Sequence, residues 1–218
     1  MGHDQHSKDS GHSGHAGHAG HGPGHKFPVE HMARLESPER LSLLPVDAVV
    51  ALAGVRAGGR VLDVGCGPGI FTIPFARAVG SAGRVYAADI LPEMIAACRS
   101  RAEAAGLGNI ETALSTENAV PFPAACADLV FACQLLHELH DPPLFFAEMR
   151  RVLAADGRLV VVDWEKVETG IGPPVDKRIT APEAAALLEA NGFAIESRAS
   201  VSWANYLLRA RAAPSRRA

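Results

Sequence analysis

Apolar residues along this chain follow two periods that alternate. Arg60–Val64, Arg84–Ala88, Asn109–Leu114, Asp128–Cys133 and Arg158–Asp163 are short, nearly continuous apolar runs. Runs of that length and composition read as strands buried on both faces. Between them lie helical patterns. Pro142–Leu153 places Leu144, Phe145, Ala147, Met149 and Val152 at helical spacing. A glycine-rich turn opens a helix running to about Val79, Pro92–Ala105 reads as the next, and Ala181–Ala190 is stopped by Asn191-Gly192. Ala155-Asp156-Gly157 reads as a turn before the fifth strand. Strands alternating with helices predict a mainly parallel sheet covered on both faces, an α/β sandwich of three layers. Phe193–Arg198 and Ser202–Arg209 have no helix between them and should form a C-terminal antiparallel hairpin, giving seven strands.

Ahead of the sheet, Ser37-Pro38-Glu39-Arg40 reads as a helix start, with serine as cap and proline in the first turn. Pro45 breaks that pattern, Val46–Ala53 reads as a second short helix, and Gly58-Gly59 ends the lead-in. Residues 1–26 are different again. They carry seven of the ten histidines, spaced by glycine, serine and alanine, and after Met1 no aliphatic side chain larger than alanine. Such a segment buries too little apolar surface to offset its ordering entropy, so disorder is expected there, with the folded domain spanning 27–218. Imidazoles on a flexible chain, His12, His15, His18 and His21 among them, can gather a divalent metal. A metal-capturing tail and a merely solvated one both fit this composition. No metal site is expected in the folded domain.

The net charge of −3 gives no global basic field, so no nucleic-acid partner is expected. No apolar run approaches the ~20 residues of a membrane span, so no membrane partner is expected either. The N-terminus lacks an apolar signal-peptide core, and the four cysteines form no CxxC pair. A reduced, cytoplasmic setting is the expectation.

The sharpest local feature is Asp63-Val64-Gly65-Cys66-Gly67-Pro68-Gly69, between a strand and a helix. Glycines there let the backbone approach a ligand closely. In an open parallel sheet, ligands bind at the carboxyl ends of strands. A dinucleotide fingerprint reads G-x-G-x-x-G, but Ile70 stands where its third glycine would be, which disfavours a nicotinamide oxidoreductase. Asp89 ends the second strand, placed to accept hydrogen bonds from a ribose or to cap the helix near Pro92.

The pattern Asp63-x-Gly65-x-Gly67-x-Gly69 resembles motif I of class I methyltransferases. The resemblance extends through Val85–Asp89, Pro92-Glu93-Met94, Val120-Pro121-Phe122-Pro123, Leu136-His137-Glu138-Leu139, and Glu148–Leu153 leading to Gly157-Arg158-Leu159. In that order and spacing the chain is similar to the compact type 11 branch, from about Phe27 to Arg211. The resemblance implies a Rossmann-like fold, S-adenosyl-L-methionine as cofactor and a small-molecule methyl acceptor. It implies that Gly65, Cys66, Gly67 and Gly69 pass beneath the cofactor and that Asp63 orients its amino group. Asp89 would hold the ribose, Ile90 would pack on adenine, and Gln134 would lie beside the methionine moiety. Where the family often has an aspartate for the adenine amino group, this chain has Thr116 and Glu117.

The acceptor should lie beyond the fourth and fifth strands, where two clusters fall: His137-Glu138-Leu139-His140-Asp141 and Asp163-Trp164-Glu165. His137, Glu138 and Trp164 are the candidate catalytic residues, as base, clamp or stacking surface. Each has a plain alternative: local hydrogen bonding for His137, core cover for Trp164. Gly172-Pro173-Pro174 and Arg178 could form a loop closing over the pocket or a simple crossover. Cys66, Cys126 and Cys133 leave an arsenite methyltransferase as a lesser alternative, and the histidine tail leaves a metal-handling protein with a cofactor-binding domain as another.

Overall fold

The computed structural model describes residues 29–214. The expected histidine tail and its metal-binding candidates lie outside the described residues. After a 3₁₀ stretch, Val29–Glu36, come α1 (Pro38–Leu43) and α2 (Val46–Ala53). The sheet and its connections follow: β1 (Arg60–Val64), α3 (Thr72–Val79), β2 (Arg84–Asp89), α4 (Pro92–Ala104), β3 (Ile110–Leu114), β4 (Ala127–Cys133), α5 (Pro142–Val152), β5 (Leu153–Trp164), α6 (Ala181–Ala190), β6 (Phe193–Ser200) and β7 (Asn205–Ala212). Two more 3₁₀ turns, Leu136–Glu138 and Val175–Lys177, join the later elements.

Local chemistry sets the helix starts. Ser37 Oγ accepts from the Arg40 amide, with Pro38 in the first turn, as its sequence requires. Thr180 and Glu183 form a reciprocal capping box at α6. The strands form one seven-stranded sheet in the order β3-β2-β1-β4-β5-β7-β6. β7 runs antiparallel to both β5 and β6, so the hairpin inserts its second strand into the sheet.

Alternation within the central strands builds two cores. Val130, Ala132, Leu159 and Val161 face Phe145, Phe146 and Met149 of α5 and Leu188 of α6. Leu129, Phe131, Val160 and Val162 face Val49 of α2 and Phe75 of α3. Phe131 anchors the second core, its ring centroid 4.9 Å from those of Phe71 and Phe75.

Strand ends differ from the sequence pattern in several places, and two of the differences have a visible cause. The last strand begins at Asn205, not Ser202, because the amides of Val201 and Ser202 both donate to the Asn205 carbonyl and close a turn there. β5 starts at Leu153, and residues 154–157 form a bulge rather than a free turn. Its pairing with β4 jumps from Ala127–Leu153 to Leu129–Arg158.

Candidate active site

Chain order reverses at β1, whose neighbours are β2 on one side and β4 on the other. The crevice outside their carboxyl ends is where such a sheet receives a ligand. The glycine turn occupies it. Gly67 and Gly69 have φ of 53° and 90°, the left-handed region that a Cβ penalises. At Gly69 there is a second reason for glycine: a Cβ would stand 3.0 Å from Cys98 Sγ, so its absence admits α4 against the turn. The Cys66 side chain points the same way. It packs with Ala87, Ile95 and Cys98 in a small core, and residue 66 therefore offers a ligand its backbone rather than its thiol.

Asp89 fastens this turn. Its Oδ2 accepts from the Gly67 amide at 2.9 Å and its Oδ1 from the Leu91 amide at 2.9 Å. It does not cap α4 directly, because the cap position is Leu91. Each oxygen keeps a lone pair for a ribose hydroxyl. Burial raises the Asp89 pKa, and the amides of Leu91 and Gly67 partly offset that. Asp63 lies beneath the turn, 2% exposed, with Oδ2 accepting from Thr72 Oγ1 at 2.6 Å. In that placement Asp63 braces the first turn of α3 through Oδ2. Burial pushes its pKa up to about 7 against the Thr72 hydrogen bond, and nearby Asp89 adds to the rise.

Beside Asp89, Ile90 is exposed, and so is Leu114, which pairs with Asp89 across β2 and β3. Two uncovered apolar side chains flanking the carboxylate suit the faces of an adenine. Leu114 was not singled out by the sequence pattern. Thr116 and Glu117 are both exposed; Thr116 bridges to Ala119, and Glu117 Oε1 accepts from the His140 amide at 2.8 Å. Glu117 is thus tied to His140.

Gln134 closes the other side. Its φ of 55° places a non-glycine residue in the left-handed region. Its side-chain carbonyl accepts twice from Arg40, and its amide nitrogen donates to Asn205 Oδ1 at 2.9 Å. Arg40 and Asn205 are partners the sequence alone did not disclose, being 94 and 71 residues away from Gln134.

Beyond β4 and β5, His137 Nδ1 lies 3.0 Å from Asp163 Oδ1. Asp163 is fully buried and accepts from the Leu136 amide at Oδ2 and the Trp164 amide at Oδ1. Both oxygens act as acceptors, so Nδ1 carries the hydrogen and Nε2 presents a lone pair. Burial opposes protonation of His137, but the Asp163 hydrogen bond and charge, with Glu138, outweigh it and the pKa is raised. The half-exposed Glu138 carboxylate stands 3.8 Å from Nε2, and burial raises its own pKa against the pull of His137.

Trp164 is 2% exposed. Gly172 packs on its ring and the Arg178 guanidinium carbon lies 4.9 Å over it. Of the two roles open to Trp164, the structure places it as core cover, not as an open stacking face. Arg178 is itself buried and donates to the carbonyls of Glu165, Val167, Ile171 and Pro173 and to Thr169 Oγ1. The loop after β5 is wrapped around this guanidinium. The thiols do not converge: Cys66 and Cys98 share one core, while Cys126 precedes β4 and Cys133 ends it. That removes the geometric basis of the arsenite reading.

A seven-stranded sheet of this order, with a left-handed glycine turn and an acid at the end of β2, defines the class I methyltransferase architecture. A family model described as "Methyltransferase domain" matches residues 62–161. A structure described as a SAM-dependent methyltransferase from Aquifex aeolicus is 32% identical, covers 85% of this chain and 98% of its own, and superposes with a TM-score of 0.80. The chain belongs to the S-adenosylmethionine-dependent methyltransferase family. It is also similar to ubiquinone/menaquinone biosynthesis C-methyltransferases UbiE, 37% identical to that of Teredinibacter turnerae over 56% of this chain and 39% to that of Hahella chejuensis over 52%. The chain spans about half the length of these curated relatives, 49% and 46% respectively. No helix among the described residues is long and apolar enough to cross a membrane.

Proposed function

We propose that this protein transfers a methyl group from S-adenosylmethionine to a small-molecule acceptor, with His137 as the base. The observation that carries the reading is the His137–Asp163 pair at the carboxyl ends of β4 and β5, beside the glycine turn. When bound, the cofactor would supply a sulfonium methyl carbon as the electrophile, the acceptor–carbon bond forming in line as the carbon–sulfur bond breaks and S-adenosylhomocysteine leaves as a neutral thioether. The chain's own residues align the two at close range and remove a proton where the acceptor must lose one. Asp163 fixes the imidazole with Nε2 unprotonated, Nε2 takes the acceptor proton, and Asp163 stabilises the imidazolium that results. Glu138, next to Nε2, orients a hydroxyl of the acceptor. Support for a small acceptor is the absence of any inserted domain among the described residues. The names of the UbiE relatives make carbon methylation of a quinone-biosynthesis intermediate the first chemistry to screen.

Calorimetric titration with S-adenosylhomocysteine and, separately, NAD tests the cofactor on wild type and Asp89→Ala. Tight S-adenosylhomocysteine binding weakened by the substitution is the expected result. Preference for NAD would overturn the reading. A screen of quinone-biosynthesis intermediates with methyl-labelled cofactor then tests the acceptor class, with loss of turnover in His137→Gln expected.

A further inference from the structure

Arg40 is a half-buried cation whose hydrogen-bond acceptors are neutral. Its guanidinium gives Nε–H and one Nη2–H to Gln134 Oε1, at 3.1 and 2.6 Å, and one Nη1–H to the Leu35 carbonyl at 2.6 Å. Among the described residues no carboxylate forms an ion pair with it. Burial lowers its pKa, as expected of a charge held without a counter-ion. An arginine has five N–H donors. Three are committed, which leaves one on each terminal nitrogen, the fork that matches a carboxylate.

Its position says which carboxylate. Leu35, whose carbonyl Arg40 holds, lies across the glycine turn, its Cδ1 3.6 Å from where a Cβ on Gly67 would be. Gln134, its other partner, follows β4, and the neighbouring Leu135 packs on Gly65. The guanidinium is therefore fixed between the segment over the turn and the end of β4. The Glu36–Arg101 ion pair ties the same segment to α4.

We infer that Arg40, presented by the helix ahead of the sheet, is the counter-ion for the α-carboxylate of the cofactor's methionine moiety. This rests on the cofactor reading and extends it to a residue outside the span 62–161 matched by the family model. Gln134 then acts through Arg40 as well: held between Arg40 and Asn205, it keeps the fork aimed at the turn.

Two nucleosides separate this role from a structural one. S-adenosylhomocysteine carries the amino-acid carboxylate; 5′-methylthioadenosine lacks the whole amino-acid end. Calorimetric titration of wild type and Arg40→Gln with both is the experiment. The expected result is S-adenosylhomocysteine affinity reduced at least about tenfold, with methylthioadenosine within about twofold of wild type. Equal loss for both nucleosides in a folded variant, or no loss for either, overturns the assignment. Should Arg40→Gln fail to fold, Arg40→Lys carries the test: a point charge without the fork should weaken S-adenosylhomocysteine several-fold and spare methylthioadenosine. Wild type binding methylthioadenosine but gaining nothing from the amino-acid end sinks the Arg40 role alone. Binding of neither nucleoside sinks the cofactor reading with it.

Discussion

His137 and Asp163 stand 3.0 Å apart, from different elements, with Asp163 wholly removed from solvent and the imidazole nearly so. The pair sits 26 residues apart in sequence, and the parallel pairing of β4 with β5 brings it together. An amide in place of Asp163 keeps the shape but cannot hold the same tautomer. Asp163→Asn is therefore expected to lower kcat by about 10²–10⁴-fold with little change in KM for an acceptor that must be deprotonated. Steady-state kinetics on the purified variant would check this; unchanged kcat would remove His137 from the role of base.

The raised His137 pKa sets the direction of two pH effects. The base is the neutral imidazole, so turnover should rise with pH through the His137 pKa, on a limb lying above the ordinary ~6.5. Asp163→Asn should move that limb down. The folded state holds this proton more tightly than the unfolded chain. Its stabilisation is therefore fully present below the unfolded pKa and lost as pH rises through the folded one. Chemical denaturation of wild type and His137→Gln should show a larger gap at pH 6 than at pH 8.

Asp63 sets the same slope from a carboxylate. Its folded pKa of about 7 exceeds the unfolded value, so between about pH 4 and 7 the folded state holds a proton that the unfolded chain has released. Stability should fall as pH rises across that window. Asp63→Asn, which can still accept from Thr72, should flatten the dependence and gain on wild type at pH 8 relative to pH 5. Urea midpoints at the two pH values are the measurement, and a parallel shift at both would contradict it.

Gly69 separates backbone strain from packing. Gly69→Ala meets a φ of 90° and Cys98 Sγ at 3.0 Å, and should cost about 1–3 kcal/mol. Adding Cys98→Ala opens the space and should restore part of that loss, leaving the backbone part. A double-mutant cycle by thermal or urea unfolding reads both; strict additivity would show that the thiol contact is irrelevant.

The strands and helices were largely legible because the sheet is buried on both faces and its apolar runs are unambiguous. β1 and α6 begin and end where the pattern places them. What the pattern missed arose from contacts between distant segments. Nothing local marks Arg40, which reads as an ordinary polar position in a short helix until the fold brings Gln134 to it. The last strand starts three residues later than its composition suggests because the amides of Val201 and Ser202 close a turn on the Asn205 carbonyl. The motif located Asp63 but did not disclose its partner Thr72. Its spacing fixes where it stands in the strand, and only the position of Thr72 shows that its carboxylate faces inward.

The loop wrapped around Arg178 has a consequence for how this protein can change. Four of the five acceptors that hold the guanidinium are main-chain carbonyls, which every residue type supplies. The path of the segment from Glu165 to Pro174 thus rests on one side chain outside it and, within it, on Thr169 and the left-handed Gly170 and Gly172. Arg178→Lys, with a point charge that cannot reach all of these carbonyls, should cost on the order of 2–4 kcal/mol and expose the segment to limited proteolysis. Substitutions at Val167, Glu168 or Ile171 should leave the path of the chain intact. Such a segment can change most of its surface while its architecture is inherited unchanged, with contour and surface governed largely by separate parts of the sequence.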